Sequence, residues 1–133
     1  MQVQAYLYFD GRAAEAIEFY KSALGATVNM QMLFKEGDKH MIPPGAEDKI
    51  MHADISVGES RVLISDGHSK GNPKFDGFAL TITTKTVAEA DKIFAALAEG
   101  GKVTMSQTKT FFSPRFGMLT DRFGVNWIVL AAQ

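Results

Sequence analysis

The 133-residue chain has no cysteine, which removes disulfides, thiolate nucleophiles, iron–sulfur clusters and cysteine-based zinc sites together. Histidine is scarce too. His40, His52 and His68 are the whole supply, so a metal centre would have to be built from them and from carboxylates. No charge of one sign accumulates: fourteen Lys and Arg against fifteen Asp and Glu leave a net charge of -1. A basic stripe of the kind that follows a nucleic-acid backbone or an anionic membrane is missing. No apolar run approaches the roughly 20 residues of a membrane span, and the N-terminus lacks the basic-then-apolar order of a signal peptide. The expectation is a cytoplasmic protein with neither nucleic-acid nor membrane partners.

What is present is a repeated pattern. Tyr6 to Phe9 is a run of β-formers that stops at Asp10-Gly11, after which the apolar spacing changes from two to about three and a half, with Ala13, Ala16, Ile17, Tyr20 and Leu24 on one stripe. This predicts strand, turn and amphipathic helix, with Asp10 as N-cap and Gly25 as the left-handed stop. Phe78 to Thr84 is again strand-like, and Thr86-Val-Ala-Glu89 is a capping box for a second helix burying Val87, Ala90, Phe94, Leu97 and Ala98. Ala16, Phe19 and Tyr20 fall on Ala90, Ile93 and Phe94. Two similar halves outrank any single motif as an indication of fold.

Between these landmarks, Thr27 to Phe34 alternates as a half-buried strand, and Lys35 to Lys49 reads as a solvated loop. Ile50 to Val57 turns at Gly58-Glu59 into Arg61 to Ser65. In the second half, Val103 to Phe112, Phe116 to Thr120 and Val125 to Ala131 are the further strands. The expected architecture is α+β, one domain of two βαβββ modules (about 1–66 and 77–133) joined by a polar linker of about 67–76. Each sheet would carry its helix on one face and turn the other toward a shared interior.

Several segments carry a resemblance: Tyr6-Leu-Tyr-Phe9, Glu15-Ala-Ile-Glu-Phe-Tyr20, Leu24-Gly25-Ala26, His52-Ala53, Ile64-Ser-Asp66 and Phe116-Gly-Met-Leu-Thr-Asp-Arg-Phe-Gly-Val-Asn-Trp127. On these the chain resembles the vicinal oxygen chelate superfamily (glyoxalases, bleomycin resistance proteins and ring-cleaving dioxygenases). More narrowly it resembles the PhnB-like branch that bears the label 3-demethylubiquinone-9 3-methyltransferase. The resemblance implies a cup-shaped mixed sheet and a homodimer, and in metal-dependent relatives four ligand positions on the first and fourth strand of each module. Counting from the motifs places those positions near Ala5, Ile64, Phe78 and Ile128, none of which can ligate a metal. The methyltransferase label also lacks its usual companion, a glycine-rich turn between strand and helix followed by a ribose-binding acid.

The expectation is therefore no cofactor and a small organic ligand held in an apolar cup. The pocket candidates are Ala5, Phe9, His52, Asp54, Ile64, Asp66, Phe78, Phe116, Met118, Asn126 and Ile128. Asn126 would act as hydrogen-bonding anchor, with Trp127, Tyr6 and Tyr8 packed under the helices. Whether the chain is an enzyme stays open. His52 and Asp54, two apart on a strand, point the same way and would serve as an oriented base, against the blander reading of a wet rim. A displaced divalent ion would draw on His52, Asp54, Asp66 and His68.

Overall fold

A computed structural model of the chain describes residues 1–67 and 73–133. His68, one of the displaced-ion candidates, lies outside the described residues, as do linker residues 69–72. The chain divides into two compact units, Met1–Pro73 and Lys74–Gln133.

The N-terminal unit runs β1 (Tyr6–Tyr8), α1 (Ala13–Leu24), β2 (Thr27–Leu33), β3 (Ile50–Val57) and β4 (Ser60–Ser65), with two 3-10 turns, Phe34–Glu36 and Lys39–Met41, between β2 and β3. The C-terminal unit runs β5 (Leu80–Thr84), α2 (Val87–Ala98), β6 (Lys102–Thr108), β7 (Phe116–Thr120) and β8 (Asn126–Ala131). Each forms one four-stranded mixed sheet, ordered β1-β4-β3-β2 and β5-β8-β7-β6. In both, the first strand is parallel to the fourth and the other pairings are antiparallel. Both units are thus βαβββ, the α+β class expected. The repeat reaches single residues. Register breaks between Val28 and Met30 in β2 and between Val103 and Met105 in β6, in a shared Val-x-Met.

Helix termini show where local chemistry sufficed. Thr86 Oγ accepts the Glu89 amide at 3.1 Å, the capping box read from sequence. Gly25, at φ 66°, stops α1 with its amide on the last-turn carbonyls. The N-cap assigned to Asp10 is not formed: the residue at that position is Arg12, and no side chain of the turn caps the helix. Asp66, from the end of β4, does so instead, accepting from Gly11 N at 2.6 Å and Ala13 N at 2.9 Å.

Leu7, Phe9, Ala53, Ile55 and Ile64 are buried together with Ala16, Ile17 and Tyr20 of α1. Leu7, Ile64 and Ala53 stand side by side across β1, β4 and β3, and the Phe9 ring lies 6.4 Å from that of Tyr20. This overturns the expected facing of β1. Ile64, placed in the pocket by counting, and Phe9, placed there as an apolar lining residue, belong to the helix-side core, while Tyr6 and Tyr8, placed under the helix, are 37% and 45% exposed on the other face. Strand side chains alternate, so one residue of slip moves a whole set to the wrong side.

In the C-terminal unit, Trp127, Val129, Leu119 and Phe94 are buried, whereas Asn126, Ile128 and Met118 are half-buried on the opposite face. The strand expected to reach Phe112 ends at Thr108, because the Thr110 hydroxyl accepts from the amides of Phe112 and Ser113 and turns the chain. Gly117 lets the Phe94 ring lie on β7. A Cβ there would sit 2.6 Å from Phe94 Cε2. Gly117→Ala is expected to lose about 1–3 kcal/mol in urea unfolding, and Phe94→Leu, which frees the space, to make the double variant less than additive.

Candidate functional site

The sheet of Met1–Pro73 has its helix on one side, and on the other a cavity of about 500 Å³ lined by Tyr6, Tyr8, Phe34, Met51, Ser65, Gly67 and Pro73. Alternation puts Tyr6 and Tyr8 on one face of β1, and their rings stack, 4.9 Å between centroids and 12° between planes. Tyr8 lies flat because residue 67 is glycine. At φ +63° it tolerates the turn, and a Cβ would be 2.6 Å from the ring. Tyr6 reaches over β4 to β3, where its hydroxyl is 2.7 Å from His52 Nδ1. The His52 ring is tilted 54° against it with centroids 5.5 Å apart. Burial, followed by the neighbouring Tyr8, holds the Tyr6 phenol above its usual range, and a hydrogen bond with Ser65 pulls the other way. A neutral hydroxyl next to an imidazole can donate or accept a hydrogen bond, or pass a proton.

The expected pairing of His52 with Asp54 is replaced by two others. Asp54 accepts from Asn29 at 3.1 Å and from Arg61 Nε at 3.1 Å, and its second oxygen takes the other arm of the guanidinium. The Arg61 hydrogen bond, then that of Asn29, keeps this carboxyl below its ordinary value. Asp66 is also occupied, on the amides of Gly11, Ala13 and Ile50, the last at 2.9 Å. Ala5 is half-buried just before β1, with its carbonyl on the Leu63 amide.

Of the C-terminal candidates, Phe116, Met118 and Ile128 share the open face of the Lys74–Gln133 sheet, and Phe78 is exposed ahead of β5. Asn126 accepts from the Thr120 hydroxyl at 2.7 Å and donates to the Phe75 carbonyl at 2.8 Å, which pins the segment before β5. Arg115 pairs with Asp91 of α2 at 3.0 Å. Sequence reasoning named none of the residues that line this cavity: Tyr6 and Tyr8 were placed under the helix, and Phe34, Met51, Ser65, Gly67 and Pro73 were not among the pocket candidates. The available signal was that Leu and Phe seek full burial more strongly than Tyr, which favours Leu7 and Phe9 as the core face.

The metal of the superfamily does not fit these residues. The counted positions Ala5, Ile64, Phe78 and Ile128 offer hydrocarbon. The open faces of the first and fourth strands present Tyr6, Tyr8, Leu63 and Ser65 in one unit and Thr81, Thr83, Ile128 and Leu130 in the other. Among the described residues no three His, Asp or Glu side chains gather as a ligand set.

The profile of a family described as 3-demethylubiquinone-9 3-methyltransferase matches residues 1–130. The chain belongs to that family. It is similar to Protein YjdN of Escherichia coli (strain K12), 31% identical over 97% of this chain and 94% of that one. Among solved structures, protein PA1353 from Pseudomonas aeruginosa superposes with a TM-score of 0.89 at 38% identity, covering 100% and 98% of the two chains. A PhnB protein from Bacillus cereus superposes at 0.84 with 28% identity over 99% and 100%. The fosfomycin resistance protein FosX from Listeria monocytogenes, at 0.68 and 10% identity over 100% and 93%, shares the fold. The chain is thus PhnB-like and has the glyoxalase/bleomycin resistance/dioxygenase fold. The family description names a methyl transfer, yet the residues here do not fit S-adenosylmethionine. The Asp10-Gly11 turn is closed by Asp66, so the amides of Gly11 and Ala13 are already satisfied.

Two consequences are measurable. Asp66→Ala leaves three main-chain amides without their acceptor and is expected to lose about 2–4 kcal/mol in denaturant unfolding, with Asp66→Asn in between. Asp54, held low in the folded state, contributes stability that is present above the unfolded carboxyl value and is lost as pH falls through the folded one. Arg61→Leu should raise the Asp54 titration, followed by carboxyl NMR, and move acid unfolding to higher pH.

Proposed function

We propose that the chain binds a small organic molecule in the cavity of its N-terminal unit through aromatic and apolar contacts, without a metal. The observation that carries this reading is the cavity itself: about 500 Å³, within the range of ligand sites, with a stacked tyrosine pair, Phe34 and Met51 in its wall and few polar groups. Stacked rings offer a flat platform, and a thioether adapts to varied shapes, so planar or aromatic molecules suit it. Phe116, Met118 and Ile128 give the open face of the C-terminal sheet a similar apolar character, and the same reading covers them. In this reading the protein works as a homodimer. Exposed apolar residues on both edge strands, Val28 and Met30 on β2 and Val103 and Met105 on β6, support it.

A second reading, acid–base catalysis by His52, draws on its hydrogen bond to a cavity-lining phenol. It differs in requiring turnover of the bound molecule.

A thermal-shift screen of uncharged planar aromatics tests the first reading. A ligand at about a hundred times its Kd should stabilise the native state by about 2.7 kcal/mol. Tyr8→Ala should weaken binding by about 1 kcal/mol, roughly fivefold. No stabilising compound, or stabilisation indifferent to Tyr8→Ala, would sink it.

A further inference from the structure

Among the described residues, every side chain in the cavity wall is uncharged at neutral pH: the two tyrosines, Phe34, Met51, Ser65 and Pro73, with Gly67 completing it. The charged groups nearest in the strands are matched elsewhere, Asp54 to Arg61 and Asn29, and Asp66 to three main-chain amides. An ion entering here would give up part of its hydration and meet no counter-charge among the described residues, a cost its apolar contacts do not return. Among the polar atoms of the wall, the Ser65 hydroxyl already accepts the Gly67 amide at 2.8 Å and is buried. The Tyr6 hydroxyl differs, because beside Ser65 it has a partner outside the wall. His52 is not a lining residue, but its Nδ1 fixes the phenol at 2.7 Å.

Resting on the reading of the cavity as a ligand site, we propose that the Tyr6 hydroxyl, with His52 as its positioning residue, reads the polar group of the ligand. The site then selects uncharged aromatic molecules bearing a hydroxyl or carbonyl over charged analogues of the same shape. The pair is suited to both groups. When Tyr6 donates to Nδ1, the phenol oxygen accepts from a ligand hydroxyl. When the imidazole carries its proton on Nδ1, the phenol is free to donate to a ligand carbonyl. Fixing the phenol before binding removes its rotamer entropy from the cost of association. The tyrosine stack supplies the sequence-independent share of affinity and His52–Tyr6 the discrimination, as expected where a site built to hydrogen-bond a group rejects analogues lacking it.

Naphthalene, 1-naphthol and 1-naphthoate serve as probes of one shape and different polarity, with binding followed by their own fluorescence. The wild-type chain should bind 1-naphthol about tenfold more tightly than naphthalene, and 1-naphthoate more weakly than either. Tyr6→Phe should erase the naphthol advantage while leaving naphthalene within about a factor of two, since the ring is kept. His52→Leu should reduce that advantage, and His52→Asn, whose amide oxygen can stand where Nδ1 stands, should restore most of it. That rescue is not expected of a residue that only supports the fold. Melting curves of the three variants establish that they are folded. A naphthoate affinity equal to or above that of naphthol, or a naphthol advantage that survives Tyr6→Phe, overturns the assignment while leaving the cavity as a ligand site. No binding of any probe to the wild-type chain overturns both.

Discussion

Three main-chain amides, those of Gly11, Ala13 and Ile50, converge on the Asp66 carboxylate. They belong to the entry of α1 and the first residue of β3, and the carboxylate itself follows β4, so one buried side chain ties helix, sheet and loop at a single corner of the N-terminal unit. The helix dipole favours the negative charge there, and the amides would otherwise be buried without partners. Because α1 is started by this group and not by its own turn, the turn is free to take left-handed φ angles at Asp10 (48°) and Gly11 (98°). Asp66's neighbours in the chain, Ser65 and Gly67, line the cavity.

The C-terminal unit solves the same topology with other chemistry. Its helix is capped locally by Thr86, and its buried carboxylate, Asp121, closes the β7–β8 turn instead, accepting the amides of Phe123 and Val125 and the Trp127 indole at 2.9 Å. Strand order and the Val-x-Met register break are common to both units, while the polar clamps are not. Topology was kept across the repeat by apolar spacing. Each unit then found its own way to satisfy buried polar groups, which is the part that side-chain identity controls.

In the vicinal oxygen chelate superfamily that the sequence resembles, an ion defines the chemistry, and this chain has phenols, aliphatic hydroxyls, a thioether and hydrocarbon on the open faces of its sheets. A site of that composition discriminates by shape and by one or two aimed dipoles. The His52 and Asp54 of β3 illustrate how little a shared face guarantees. They point the same way along one strand, yet the imidazole is paired with Tyr6 of β1, across β4, and the carboxylate with Arg61 of β4 and Asn29 of β2.

Local patterns by themselves determined the two helices, the capping box at Thr86, the stop at Gly25, the strands of both halves and the repeat that unites them, because periodicity and capping act over a few residues. Residues such as Trp127 and Ile128 could be assigned to opposite faces from the same alternation. Tertiary structure settled which face of β1 meets the helix: a three-residue strand, Tyr-Leu-Tyr, alternates in either sense, residue type leans toward Leu7 and Phe9, and their packing against Ile64 and Tyr20 fixes the choice. It also decided the partners of His52, Asp54 and Asp66. Those bonds span 46, 7 and up to 55 residues, distances over which a linear sequence holds no geometry.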